Sequence, residues 1–219
     1  MRDLFDRLDC WRRDGEAIAL ATLVQVHGSA PRLPGARMLI TRSGKMAGSV
    51  SGGCVEADIV TRAPTVLDDG QAVLARYGIA DDSELAVGLT CAEIEVFIEP
   101  FRDDAVRGTR RRTAIERHQP AVLAVALTPA AVAGRSLVVS AGRRRPLGRS
   151  EPELDRAVLA NAPSMLGTGA MSLLTVEGVG RRRARLRARR SRRRPARDLA
   201  AARTPPSCSP TWRSGSACT

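Results

Sequence analysis

The order of apolar and polar positions divides the chain into short alternating elements. Leu4, Phe5, Leu8 and Trp11 recur at helical spacing, so Arg2 to Arg13 is predicted as an amphipathic helix that Gly15 ends. Ala17 to Val26 is a continuous apolar run of strand length and reads as a buried strand. His27 to Gly35, with Gly28, Pro31, Pro34 and Gly35, is loop chemistry; Met38 to Thr41 is a strand, and Ser43-Gly44-Lys45 a turn. A Gly/Ser-rich loop over Gly48 to Gly53 is followed directly by a predicted helix from Cys54 to Leu67. Gln71 to Tyr77 and Ile94 to Glu99 are further strands.

The second half follows the same plan: a helix over Ala114 to His118, strands over Ala121 to Leu127 and Ser136 to Ser140, a helix over Glu153 to Leu166 and a strand over Met171 to Val176. Offset by ninety-nine residues, Gly35 aligns with Gly134, Met38-Leu39-Ile40 with Leu137-Val138-Val139, Ala63-Pro64 with Ala162-Pro163, Leu67 with Leu166 and Gly70 with Gly169. The chain is therefore expected to be a mixed α/β (α+β) body of two similar strand–helix units, divided as 1–103 and 104–179, with a disordered Arg-rich tail over 180–219. From Gly180 onward the text offers neither helical spacing nor alternation on this reading.

Charge sharpens that division. The net charge of +12 suggests a nucleic-acid binder until it is located. Residues 1–100 carry ten basic and fifteen acidic side chains, whereas Arg181 to Arg203 hold twelve Arg against one Asp. Without that segment the chain is near neutral, so the charge belongs to the tail. The tail reads either as a basic arm or, preferably, as the product of a frameshift in a GC-rich gene. Aromatic content of 3% leaves few stacking partners, so base recognition and a nucleic-acid partner are not expected. The five cysteines, Cys10, Cys54, Cys91, Cys208 and Cys218, are odd in number and scattered without a CxxC, which supports neither a disulfide framework nor a metal centre. No segment is long and apolar enough to span a bilayer, and the acidic start does not read as a signal peptide.

The candidate chemistry lies in the loops that the second unit does not copy. In Gly48-Ser49-Val50-Ser51-Gly52-Gly53-Cys54-Val55-Glu56, glycines let backbone approach a ligand closely, and a helix start offers free N–H groups to an anion. A cysteine at that position is a candidate reactive or ligating thiolate, because the helix dipole favours the anion. Against this stands the plainer reading of a buried cysteine beside a tight turn. In His27-Gly28-Ser29-Ala30-Pro31-Arg32, the Arg32 guanidinium on proline-stiffened backbone is suited to a phosphate; a solvated loop arginine is the bland alternative. Cys91, at the end of Gly88-Leu89-Thr90-Cys91, is a third candidate, with a core cysteine as its alternative.

These stretches, with Ala19-Leu20-Ala21-Thr22-Leu23-Val24, Leu33-Pro34-Gly35-Ala36-Arg37-Met38 and Tyr77-Gly78, resemble the XdhC/CoxI family, the accessory proteins of xanthine dehydrogenase and carbon monoxide dehydrogenase. The resemblance covers roughly residues 15–100; residues 114–178 resemble the family's less distinctive middle segment. It implies a cytoplasmic protein that binds the molybdenum cofactor (molybdopterin) transiently, protects it, helps it acquire its terminal sulfur and delivers it to an apo molybdenum hydroxylase. A cysteine desulfurase-type sulfur donor and a homodimer are implied partners. The cofactor-binding residues it implies are Gly28, Ser29, Arg32, Ser51, Gly52, Gly53, Cys54, Glu56 and Cys91. Two departures stand out. Ala92 and Glu93 follow Cys91 where the family has two glycines, and the Arg-rich text replaces a C-terminal Rossmann-like domain. Non-specific nucleic-acid binding through the Arg-rich tail is one alternative function; the other is a nucleotide-binding oxidoreductase-like enzyme, with the Gly-rich loop on a nucleotide and Cys54 as nucleophile. It lacks support from a Ser/His/Asp set, a Walker A loop or G-x-G-x-x-G.

Overall fold

A computed structural model describes residues 2–78, 92–101, 121–140, 152–168, 172–179 and 182–190. Helix α1 (Arg2–Arg13) ends at Gly15, whose φ of 75° no β-carbon hinders. The first unit then runs through β1 (Ile18–Gly28), β2 (Arg37–Thr41), β3 (Met46–Gly48), α2 (Glu56–Asp69), β4 (Val73–Tyr77) and β5 (Ala92–Pro100). Its strands form one antiparallel sheet in the order β3-β2-β1-β5-β4. The second unit contains β6 (Ala121–Thr128), β7 (Ser136–Ser140), α3 (Pro152–Thr168), β8 (Ser172–Val179) and β9 (Arg182–Arg190), with sheet order β7-β6-β9-β8.

The mixed α/β architecture expected from the sequence is present, and so is the internal repeat. Each unit is a hairpin, a helix and a second strand pair whose last strand returns beside the first. The likeness extends to local detail. The Leu23 amide donates to the Ala36 carbonyl (3.0 Å) and the Gly35 amide to the Leu23 carbonyl (2.7 Å). In the second unit the Ala126 amide donates to the Arg135 carbonyl and the Gly134 amide to the Ala126 carbonyl, both at 2.9 Å. The central pair of each sheet slips register at the same place, between Leu23 and Gln25 and between Ala126 and Thr128.

One boundary moves. The Arg-rich text does not begin where the second unit stops, because Arg182–Arg190 is β9, paired on one side with β6 and on the other with β8. It occupies the place that β5 holds in the first sheet. Alternation of Ala184, Leu186 and Ala188 with arginines is the sequence signal for this strand; the charge of the segment obscures it. Residues 191–219 lie outside the described residues, as does the helix expected over Ala114 to His118.

Packing explains the unbroken apolar run of β1. Ala19, Ala21 and Leu23 face α2, whose Ile59, Ala63 and Val66 form the buried stripe above the sheet. On the other face, Ile18 and Leu20 are covered by Leu8 and Trp11 of α1. Further along that face Val24 and Phe97 meet Val125 and Leu127 of the second sheet. In turn, α3 covers the far side of the second sheet with Leu154, Val158, Ala162 and Met165. The two sheets thus pack face to face, each capped outside by a helix, and β1 is buried on both faces.

Candidate functional site

The loop between β3 and α2 is organised by a residue that the sequence reading placed among ligand contacts. Helix α2 begins at Glu56, two residues later than expected, with Val55 as its N-cap. The Glu56 side chain folds back into the loop, and the residue is only 8% exposed. Its Oε1 accepts from the Ser49 hydroxyl (2.7 Å) and from the amides of Val50 (3.1 Å), Ser51 (2.9 Å) and Gly52 (3.1 Å). Its Oε2 accepts from the Ser51 hydroxyl and from the amides of Gly53 (2.9 Å) and Val55 (3.3 Å). Both hydroxyls are used twice: Ser49 Oγ also accepts from the Gly52 amide (2.9 Å), and Ser51 Oγ from the Val55 amide (3.2 Å).

The amides expected to meet an incoming anion are therefore already engaged by the chain's own carboxylate. Burial by itself raises the Glu56 pKa. The hydrogen bonds from Ser51, Ser49 and Val50 outweigh it and hold the group at about 2. The loop is an internal version of the anion cradle found at helix starts. A capping box supplies part of the design, a side chain reaching back from the first turn, but here the carboxylate serves the whole loop.

Cys54 stands between two residues whose amides bind Glu56, and its side chain is exposed. It lies in the turn before α2. The neighbouring loop comes close. A β-carbon on Gly52 (φ 95°) would meet Pro31 Cγ at 3.3 Å, so the Gly28–Gly35 loop rests against the Gly-rich one. Gly28 ends β1 opposite Ala92; Ser29 and Arg32 are exposed. Cys91 lies outside the described residues. His27 is exposed, and its Nε2 lies 2.5 Å from Gln25 Nε2.

Two supports fix the helix that follows. The Tyr77 hydroxyl donates to Asp58 Oδ2 at 2.7 Å, and Arg62 Nε to the same oxygen at 2.6 Å. Burial and then the Asp58 carboxylate push the Tyr77 phenol up, so it stays a donor. At the start of the loop, a β-carbon on Gly48 would lie 2.3 Å from the Arg37 carbonyl oxygen, which leaves glycine as the fitting residue. Neither Asp58 nor Tyr77 stood out as a site support in the sequence, since a carboxylate in a first helical turn is common. Cys10 is disulfide-bonded, a pairing that the odd, scattered cysteines did not suggest. Among the described residues no group of three or more His, Cys, Asp or Glu is placed to hold a metal ion, and no helix is long and apolar enough to cross a membrane.

The exposed thiol, the Glu56-filled loop and the Pro31 contact all lie in one segment, and that segment has relatives. Residues 11–78 match the model of the XdhC and CoxI family, which bears out the resemblance over that stretch. The chain is 38% identical over 89 residues to a protein of Bacillus subtilis (strain 168) described as a probable xanthine dehydrogenase subunit, covering 41% of this chain and 27% of that protein. It is 41% identical over 64 residues to the molybdenum cofactor insertion chaperone PaoD of Escherichia coli (strain K12), covering 29% of this chain and 20% of that one. The matched segments thus span about a quarter of these curated relatives or less. A solved structure described as a xanthine dehydrogenase from Bacillus halodurans superposes with a TM-score of 0.55 at 22% identity, covering 67% of this chain and 44% of that one, and so shares the fold.

Proposed function

We propose that this chain is an accessory protein for a molybdenum hydroxylase, taking the molybdenum cofactor as transient cargo and passing it to the apo-enzyme. The observation that carries this reading is the exposed Cys54, presented on a carboxylate-pinned loop against the Gly28–Gly35 loop, within the segment that matches the XdhC and CoxI family. The relative named as a cofactor insertion chaperone supports the same role. The donor set suits the cargo: a soft sulfur for a sulfur-liganded metal and an exposed guanidinium at Arg32 for a phosphate. On this reading Gly28, Ser29, Arg32 and Cys54 are the contacts on the exposed side. Buried Glu56 and Ser51 act from beneath, and the exposed Gly52 and Gly53 serve through amides turned inward onto the carboxylate.

The finer parts of the role are protection of the cofactor, help with its sulfuration from a cysteine desulfurase-type donor, and work in the cytoplasm as a homodimer. The test is purification from cells that make molybdopterin, with bound pterin measured by fluorescence after oxidation. Wild-type protein is expected to carry pterin and to activate an apo-hydroxylase, and Cys54→Ser to lose much of both. Equal pterin content and equal activation by Cys54→Ser would remove the thiol from the role.

A further inference from the structure

The Glu56 carboxylate is more heavily bonded than a helix cap requires. Its seven hydrogen bonds come from Ser49, Val50, Ser51, Gly52, Gly53 and Val55. Every residue between Ser49 and Val55 is thus tied to it except Cys54, which is held from both sides and turned outward. Five amide dipoles converging on one point repel each other unless a negative charge sits there.

The second unit offers a comparison at the equivalent helix. At the ninety-nine-residue offset that matches Pro64 of α2 with Pro163 of α3, the residue opposite Glu56 is Asp155, one methylene shorter. Its Oδ1 is buried and has no hydrogen-bond partner among the described residues. Helix α3 packs through Leu154, Val158, Ala162 and Met165, as α2 does through its own stripe. Among the described residues the carboxylate cage occurs only in the loop carrying Cys54.

We propose that Glu56 is a positioning residue: an anion built into the chain that sets how Cys54 is offered to its partner, and not itself a ligand of the cargo. The inference rests on the reading of Cys54 given above. It assigns the Gly-rich amides to an internal charge, so an incoming anionic group must be met by other donors.

The experiment follows Cys54 directly and requires no cofactor. Full-length wild type, Glu56→Ala, Glu56→Gln and Glu56→Asp are treated with iodoacetamide across a pH series, and the Cys54 peptide is followed by mass spectrometry alongside thermal unfolding. Glu56→Ala and Glu56→Gln are expected to unfold cooperatively yet to change the Cys54 alkylation rate about threefold or more, with an altered pH profile, because thiol reactivity follows its polar surroundings. Glu56→Asp should lie between them and wild type. Added formate, small enough to fill the space left in Glu56→Ala, should return the rate toward wild type. A folded Glu56→Ala with wild-type alkylation at every pH, or a changed rate indifferent to formate, overturns the proposal. If the Glu56 variants fail to fold, Ser49→Ala and Ser51→Ala each remove one hydroxyl donor. A smaller change in Cys54 alkylation in either supports the proposal, and none in both overturns it. Changed alkylation combined with unaltered pterin binding by Cys54→Ser would leave the positioning intact and sink the cargo-binding use of the thiol. The reverse pattern would do the opposite.

Discussion

Acid should unpin the Gly-rich loop, and the structure sets the size of the effect. Glu56 titrates near 2 in the folded protein against an ordinary value of 4.5. A gap of about two and a half units, at about 1.4 kcal/mol each, is worth about 3–4 kcal/mol of folding stability. The sign follows from the depressed folded value. The contribution is complete above the unfolded pKa and is lost as the pH falls from about 5 toward 2, as the unfolded chain and then the native carboxylate take up the proton. Glu56→Gln removes the titration and leaves an amide group facing backbone donors, so it should destabilise at neutral pH by about 2–4 kcal/mol. Urea unfolding of both proteins between pH 7 and pH 3 isolates the effect, because other carboxylates titrate in both. The stability difference should shrink steadily below pH 5. Parallel curves down to pH 3 would refute the claim that a charged Glu56 holds the loop.

Phe97 is fully buried where the two sheets meet, so Phe97→Ala should cost about 3–5 kcal/mol in denaturant unfolding; under about 1 kcal/mol would mean the sheets do not share that core. Gly48→Ala forces a β-carbon to 2.3 Å from the Arg37 carbonyl oxygen at a φ of 88°, and should cost about 2 kcal/mol or more by thermal unfolding; Gly44→Ala, at φ 84° with open space, should cost less. Truncation after Gly180 removes the strand between β6 and β8 and should abolish cooperative unfolding of the second unit. Truncation after Arg190 should preserve more of it, and equal unfolding of the two truncations would show that β9 contributes nothing.

The sequence determined the local elements and much of their pairing. Helical spacing in Arg2 to Arg13, the strand-length apolar run of β1 and the match of Ala63-Pro64 with Ala162-Pro163 are statements about neighbours along the chain, and periodicity records those directly. The repeat could be read for the same reason: apolar spacing survives when particular residues change. The Gly-rich loop and Cys54 also stood out, since glycines before a helix mark close backbone approach. What only the tertiary structure decided is where charge and strand edges go. Nothing in the order Ser49 to Glu56 says that the carboxylate turns back into the amides, because that depends on three-dimensional convergence within a buried volume. Nor does an arginine-rich stretch announce itself as an inner strand. The open place between β6 and β8 needs backbone donors and acceptors, and those are the same whatever side chains the strand carries.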